Sequence, residues 1–275
     1  MRILVAVPVY NEEQYVADVI AEIARYADCG GAEVLVIDDG STDTTPALLA
    51  EQPVDVIRHK VNRGYGRAIR DAFRWAQSWN YDWLITMDCD EQHEPASLPA
   101  FREAILADDA DVISGSRYLS DDAMETADGS PPPDRRRINA TVTQWVDDRL
   151  NLSITDSFCG FKAYRVSCLD QLDLDVDGYA IPLQFWVQCA AAGLRVKEEP
   201  IRLIYNDPNR SFGGPLDDAE QRLQHYAEVF ECEMRRQAWP LARRGLPRGR
   251  PTVKLTTPCP DAAEPSVAQP SPVES

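Results

Sequence analysis

No two cysteines in this 275-residue chain stand in CxxC spacing, and the seven present are scattered and odd in number. A disulfide framework and a cysteine zinc site are both disfavoured, and the pattern fits unpaired thiols in a reducing compartment. No stretch approaches the roughly 18 apolar residues of a membrane span. The nearest candidate, YAIPLQFWVQCAAAGL (179–194), is interrupted by Pro182, Gln184 and Gln188. The N-terminal MRILVAVPVY has too short an apolar run for a signal peptide and no small-residue cleavage site. Positive charge is in deficit: the net charge is −17, whereas a general nucleic-acid binder carries a basic footprint. A local anion site stays open, because net charge says little about one cleft. Glycine signatures are missing too. The first apolar run is followed by Pro8-Val9-Tyr10-Asn11 rather than GxGxxG, and GxxxxGK[ST] occurs nowhere. What is left is a soluble chain, expected in the cytoplasm, whose 44% hydrophobic composition suffices for a core.

Short apolar runs alternate with helical patterns. Ile3–Pro8 and Glu33–Ile37 read as strands buried on both faces. Further strands are expected at Val54–Arg58, Trp83–Met87 and Asp111–Ser114. A helix from about Glu12 to Tyr26 would bury Val16, Val19, Ile20 and Ile23, and one over Tyr65–Ser78 would bury Ile69, Ala72, Phe73 and Ala76. Thr42 or Asp43 can cap a short helix, and Pro95 suits the opening of another. This βαβ spacing predicts an α/β fold, a mostly parallel central sheet with helices on both faces. Beyond Ser120, SDDAMETADGSPPPD reads as a mobile loop. A helix over Ile138–Leu150, a strand over Phe158–Arg165, a buried helix over Pro182–Ala192 and a strand over Arg195–Leu203 follow. Asp217–Gln237 is amphipathic through Leu223, Tyr226, Val229 and Phe230, and from Pro240 onward little can be buried, so disorder is expected.

In an open parallel sheet, ligands bind beyond the carboxyl ends of the strands. The unusual polar clusters all fall at such ends: PVYNEE, DDGSTD, DCDEQHEP and SGSRY. Asp88 and Asp90 flank Cys89 and can turn toward one point. Carboxylates this close repel unless a cation sits among them, and hard oxygens suit Mg²⁺ or Mn²⁺. Taken alone, D-x-D reads equally well as a hydrated acidic turn. The adjacent Asp38 and Asp39 exceed what capping a turn requires. The two glycines of NRGYGRA (62–68) read by themselves as an ordinary tight loop.

In this order and spacing, PVYNEE, DDGSTD, NRGYGRA, DCDEQHEP and SGSRY resemble the inverting nucleotide-sugar glycosyltransferases of family 2, which have the A-type fold. The resemblance is closer to their dolichol- and polyprenol-phosphate mannosyltransferase and glucosyltransferase branch. DSFCGFKAYR (156–165) and GLRVKEEPI (193–201) extend it. It covers a catalytic domain over 1–215, and periodicity and composition add an amphipathic helix over 216–239 and a disordered Pro-rich tail over 240–275. Pro8, Tyr10, Glu12, Asp38 and Asp39 would line the nucleoside pocket, and Asp88, Asp90 and Gln92 would hold Mg²⁺ or Mn²⁺ on the diphosphate. Arg117 and one or more of Arg135, Arg136 and Arg137, with Arg137 as the leading candidate, would clamp phosphate with the guanidinium fork. Asp88, Asp90 and Arg117 would be the catalytic groups, and His93 would orient a ligand.

The implied reaction moves a hexose, with inversion, from a GDP-mannose- or UDP-glucose-type donor to a polyprenyl or dolichyl phosphate. A phosphate acceptor is already anionic and needs no general base, which suits Gln184 standing where relatives often have an acid. A soluble or cell-surface glycan acceptor, or a silent nucleotide-sugar-binding subunit, are the alternatives. The implied partners are the donor, the lipid acceptor at the inner membrane face and a membrane partner protein, with no nucleic acid.

Overall fold

The computed structural model describes residues 1–89, 93–119, 131–204 and 214–246. Strands β1 (Ile3–Val9), β2 (Ala32–Asp38), β3 (Asp55–Arg58), β4 (Trp83–Thr86), β5 (Val112–Ser116), β6 (Lys162–Arg165) and β7 (Val196–Pro200) form one sheet in the order β3-β2-β1-β4-β6-β5-β7. Helices α1 (Val16–Gly30), α2 (Thr45–Ala50), α3 (Tyr65–Ser78), α4 (Leu98–Leu106), α5 (Pro133–Leu150), α6 (Ile181–Ala192), α7 (Ala219–Arg236) and α8 (Ala238–Arg243) accompany it. Successive β1 side chains enter opposite cores, as a strand covered on both sides requires. Leu4 and Ala6 pack with Phe73, Trp186 and Phe230, while Val5 and Val7 pack with Ile20, Phe101 and Phe161.

All pairings are parallel except those of β6, which is antiparallel to both β4 and β5. The cause lies just before β6. Ser116 Oγ meets Thr155 Oγ1 at 2.5 Å, and Arg117 pairs with Asp156, so the chain enters β6 from the carboxyl end of β5. That reversal carries Asp156 to the sheet edge where ligands bind.

Gln184 and Gln188, which interrupt the apolar run of α6, are buried and tie it to α7. Their amides donate to Glu233 Oε2 at 3.0 Å and Oε1 at 2.9 Å. Arg149 of α5 pairs with Glu231 of α7 in the same buried seam. The expected end of order at Pro240 is not observed. The chain continues through α8 with Leu241 buried, because Arg244 Nε donates to Ala191 O (2.8 Å) and satisfies a carbonyl at the end of α6. Residues 247–275 of the expected tail and 120–130 of the expected loop lie outside the described residues. Among the described residues no helix is long and apolar enough to cross a membrane. Cys89, Cys159, Cys168 and Cys189 form no disulfide. Cys232 is disulfide-bonded, which departs from the expectation of unpaired thiols, since spacing along the chain does not fix proximity in space.

Candidate active site

A cavity of about 790 Å³ opens at the carboxyl ends of β1, β2, β4 and β5. Pro8, Tyr10, Glu12, Asp39, Asp88 and Arg117 line it, so six of the expected residues share one wall system. The first two polar clusters are stitched together behind it. Asn11 N donates to Ser41 Oγ (2.9 Å), Thr42 N to Asn11 Oδ1 (2.8 Å) and Glu12 N to Thr45 Oγ1 (2.9 Å). Glu13 N donates to Asp43 Oδ2 (3.2 Å) and Thr44 N to Glu13 Oε2 (3.1 Å) across the same seam. These polar side chains therefore act mainly on the backbone, leaving Tyr10 and Glu12 to face the cavity.

The paired aspartates divide their work. Asp38 is fully buried, accepts from Ser41 N at 2.8 Å and pairs with Arg58 Nε at 3.1 Å. It stands off the cavity wall, because its carboxylate is committed to closing the turn. Asp39 is on the wall and also accepts from Arg63 N and Gly64 N, both at 2.8 Å, and meets His59 Nδ1 at 2.6 Å. It thereby anchors NRGYGRA. Those glycines have a packing role: a Cβ at Gly66 would lie 2.3 Å from Val176 O, and one at Gly64 2.3 Å from Asp177 O. Only glycine lets residues 176–178 come against the start of α3 and bring Tyr179 to the cavity.

At the end of β4, Asp88 N donates to His93 Nδ1 (3.0 Å), and His93 Nε2 faces Cys159 Sγ at 3.9 Å. His93 thus orients Asp88 through its backbone. Asp88 Oδ1 is buried without a hydrogen-bond partner, a costly state for a carboxylate oxygen. A Cβ at Gly160 would lie 2.4 Å from Asp88 Oδ2, so only glycine admits this carboxylate. An unmet hard oxygen on the cavity wall fits a divalent cation. Asp90 and Gln92, the other expected ligands, lie outside the described residues, and among the described residues no cluster of three ligating side chains forms.

Arg117 is gripped by Asp156, with Nε to Oδ2 at 2.7 Å and Nη2 to Oδ1 at 3.0 Å. Asn139 Nδ2 adds a bond to Oδ1 at 3.0 Å. Burial alone would raise the Asp156 carboxyl, but the Arg117 guanidinium outweighs it and holds it at about 2. Arg117 thus presents a planar fork fixed in one orientation.

Residues 4–173 match the family model described as Glycosyl transferase family 2. The chain belongs to that family. It is similar to the undecaprenyl-phosphate mannosyltransferase of Micrococcus luteus, at 32% identity over 230 residues, 80% of this chain and 91% of the relative. The polyprenol monophosphomannose synthase of Mycolicibacterium smegmatis is 30% identical over 209 residues, 73% of this chain and 76% of the relative. Among solved structures, glucosyl-3-phosphoglycerate synthase from Mycobacterium tuberculosis, crystallised with Mn²⁺, UDP-glucose and phosphoglyceric acid, superposes with a TM-score of 0.61. That match covers 89% of this chain and 80% of the other at 17% identity, and it is a likeness of fold.

Besides Asp38, two expectations for this family 2 glycosyltransferase change once its side chains are placed. Arg137 is off the cavity wall, paired with Glu220 at 2.6 Å, and Arg135 lines the cavity instead. On a helix the two positions lie on different sides, and the arginine run alone could not say which faces inward. Gln184 also stands off the wall. Its carbonyl accepts from Asp175 N (2.9 Å) and Val176 N (3.1 Å), so its identity carries no information about a catalytic base. Sequence reading missed Asp156, Asn139, Arg222 and Tyr226. Asp156 opens the quoted DSFCGFKAYR, which was its only signal; the others reach the cavity through helix packing.

Proposed function

We propose that this glycosyltransferase moves a hexose, with inversion, from a GDP-mannose- or UDP-glucose-type donor to a polyprenyl phosphate. The observation that carries this reading is the mixed lining of one cavity. The strand ends bring Asp39 and Asp88 to its wall, and α5, α7 and the segment before β6 bring Arg135 and Arg222 with Ile138, Phe158 and Tyr226. Guanidinium groups beside apolar and aromatic side chains suit a phosphate carrying a hydrocarbon chain. The names of the two bacterial relatives support the same acceptor class.

On this reading the acceptor phosphate oxygen attacks the anomeric carbon as the bond to the donor diphosphate breaks on the opposite face. Being anionic already, it requires no base. Pro8, Tyr10, Glu12 and Asp39 hold the nucleoside, Arg117 orients phosphate, and Asp156 keeps Arg117 from moving. Asp88, with Asp90 and Gln92, would hold Mg²⁺ or Mn²⁺, which when bound supplies Lewis-acid neutralisation of the leaving diphosphate. The acceptor places the enzyme at the inner face of a membrane, alone or with a membrane partner.

The test pairs thermal shift with transfer. GDP-mannose or UDP-glucose should stabilise the protein only with Mn²⁺, and the label of that donor should pass to undecaprenyl phosphate. A donor-induced shift with transfer only to a soluble sugar or acid would replace the lipid acceptor. A shift with no transfer to any acceptor would favour a silent binding subunit.

A further inference from the structure

The family match ends at residue 173, yet α7, over 219–236, puts Arg222 and Tyr226 on the cavity wall. Each is a deliberate intrusion of polarity into a packed surface. Arg222 is 3% exposed and Tyr226 2%. Arg222 is held in place, with Nη2 to Asp134 Oδ2 at 2.5 Å and Nη1 to Leu216 O at 2.7 Å. The Tyr226 ring lies 4.9 Å from that of Phe158, and its hydroxyl makes no hydrogen bond among the described residues. Tyr226 lines the cavity, so this unengaged hydroxyl is open to a ligand there. Burial pushes this phenol up to about 12, so it stays a neutral donor at physiological pH.

The wall is also stiff where it needs to be. Asp134 and Arg137 of α5 pair crosswise with Arg222 and Glu220 of α7, fixing the start of one helix against the start of the other. Side chains held by such contacts select a ligand by shape and charge.

Resting on the lipid-phosphate reading above, we propose that Arg222 and Tyr226 determine acceptor specificity. Arg222, beside Arg135, faces the acceptor phosphate. Tyr226 packs the first isoprene unit against Phe158 and directs its hydroxyl at the phosphate. Donor recognition then stays with the strand ends, and acceptor recognition depends on a helix beyond the matched segment.

The test uses the full-length chain with Mn²⁺ and saturating donor. Acceptors are decaprenyl phosphate in detergent and isoamyl phosphate, which has one isoprene-length tail. Tyr226→Ala should raise KM for decaprenyl phosphate at least tenfold and cut the preference for it over isoamyl phosphate at least fivefold, with donor KM within twofold of wild type. Tyr226→Phe keeps the ring and the packing, so it guards against misfolding of the alanine variant. It should raise KM for both phosphates about threefold. Arg222→Lys, which keeps charge but loses the fork, should raise both acceptor KM values alike. Acceptor KM values within twofold of wild type in Tyr226→Ala and Tyr226→Phe, or donor KM rising in step, would overturn the subsite. If wild type transfers to neither phosphate but does so to a sugar hydroxyl, the lipid-phosphate reading fails and the subsite falls with it.

Discussion

Asp156 is a fully buried carboxylate and Asp88 a partly buried one, and the two are in opposite states. Asp156 has its charge matched by Arg117 and its oxygens bonded by Asn139 and the Phe158 amide, whereas Asp88 keeps a buried oxygen unmet. Truncation should therefore separate stability from function. Asp156→Ala strands a buried guanidinium and should cost about 3–5 kcal/mol in denaturant unfolding. Asp88→Ala should cost under about 1 kcal/mol, because it deletes an unsatisfied group, yet abolish Mn²⁺-dependent donor binding measured by calorimetry. A full-affinity Asp88→Ala enzyme would remove the metal assignment. The pH dependence has a definite sign. The Asp156 carboxyl sits at about 2 when folded against an unfolded value of 3.8. Its contribution is complete above about pH 4 and is lost as pH falls toward 2, because the unfolded chain takes up the proton first. Asp156→Ala should flatten the wild-type loss of stability across that window.

At the scale of elements, the parallel half of the sheet and the ligand-binding strand ends were legible because buried strands and βα turns leave local marks. Tyr65–Ser78 was predicted with the bounds observed for α3, its apolar stripe being regular. The antiparallel β6 was not, since strand direction depends on where the chain re-enters the sheet. The boundary at Pro240 failed for a similar reason: α8 is held by Arg244 reaching α6, a contact no local pattern announces. Within the site, strand-end residues were found, whereas of the helix-borne ones only Arg135 was named, as one of a run of three. Tyr10 and Glu12 follow an apolar run, while Arg222 and Tyr226 look like any amphipathic helix until it is docked. The glycines of NRGYGRA give the sharpest test at this scale. A methyl group at Gly66 meets the Val176 carbonyl, a backbone atom that cannot rotate away. Gly66→Ala should cost about 1–3 kcal/mol despite the better helix propensity of alanine. It should also raise KM for the donor, since Gly178 and Tyr179, which follow that carbonyl, share the cavity with Tyr65. A neutral or stabilising Gly66→Ala would show that the 176–178 segment yields freely.

For the whole molecule, the dominant electrostatic fact is a net charge of −17, with Lys60, Lys162, Lys197 and Lys254 as the only lysines. Two salt effects oppose each other. Screening weakens exposed ion pairs such as Arg2–Glu33 and Lys197–Asp109, but each such pair is worth at most about 1 kcal/mol. Screening also relieves the repulsion among all the unbalanced negative charges, which acts over the whole molecule and opposes the compact state. The decisive comparison is of lengths. The screening length falls from about 30 Å at 0.01 M salt to about 8 Å at 0.15 M. The radius of gyration expected for a folded chain of this size is about 19 Å, so ordinary salt carries the molecule from unscreened to screened repulsion. The global term should win, and the thermal midpoint should rise by roughly 4–8 °C between 0.01 M and 0.15 M NaCl, corresponding to about 2 kcal/mol. Salts of different anions at equal ionic strength should act alike, because screening depends on charge and concentration. A midpoint that stays flat or falls would mean that the local pairs carry more of the fold's stability than the excess negative charge removes.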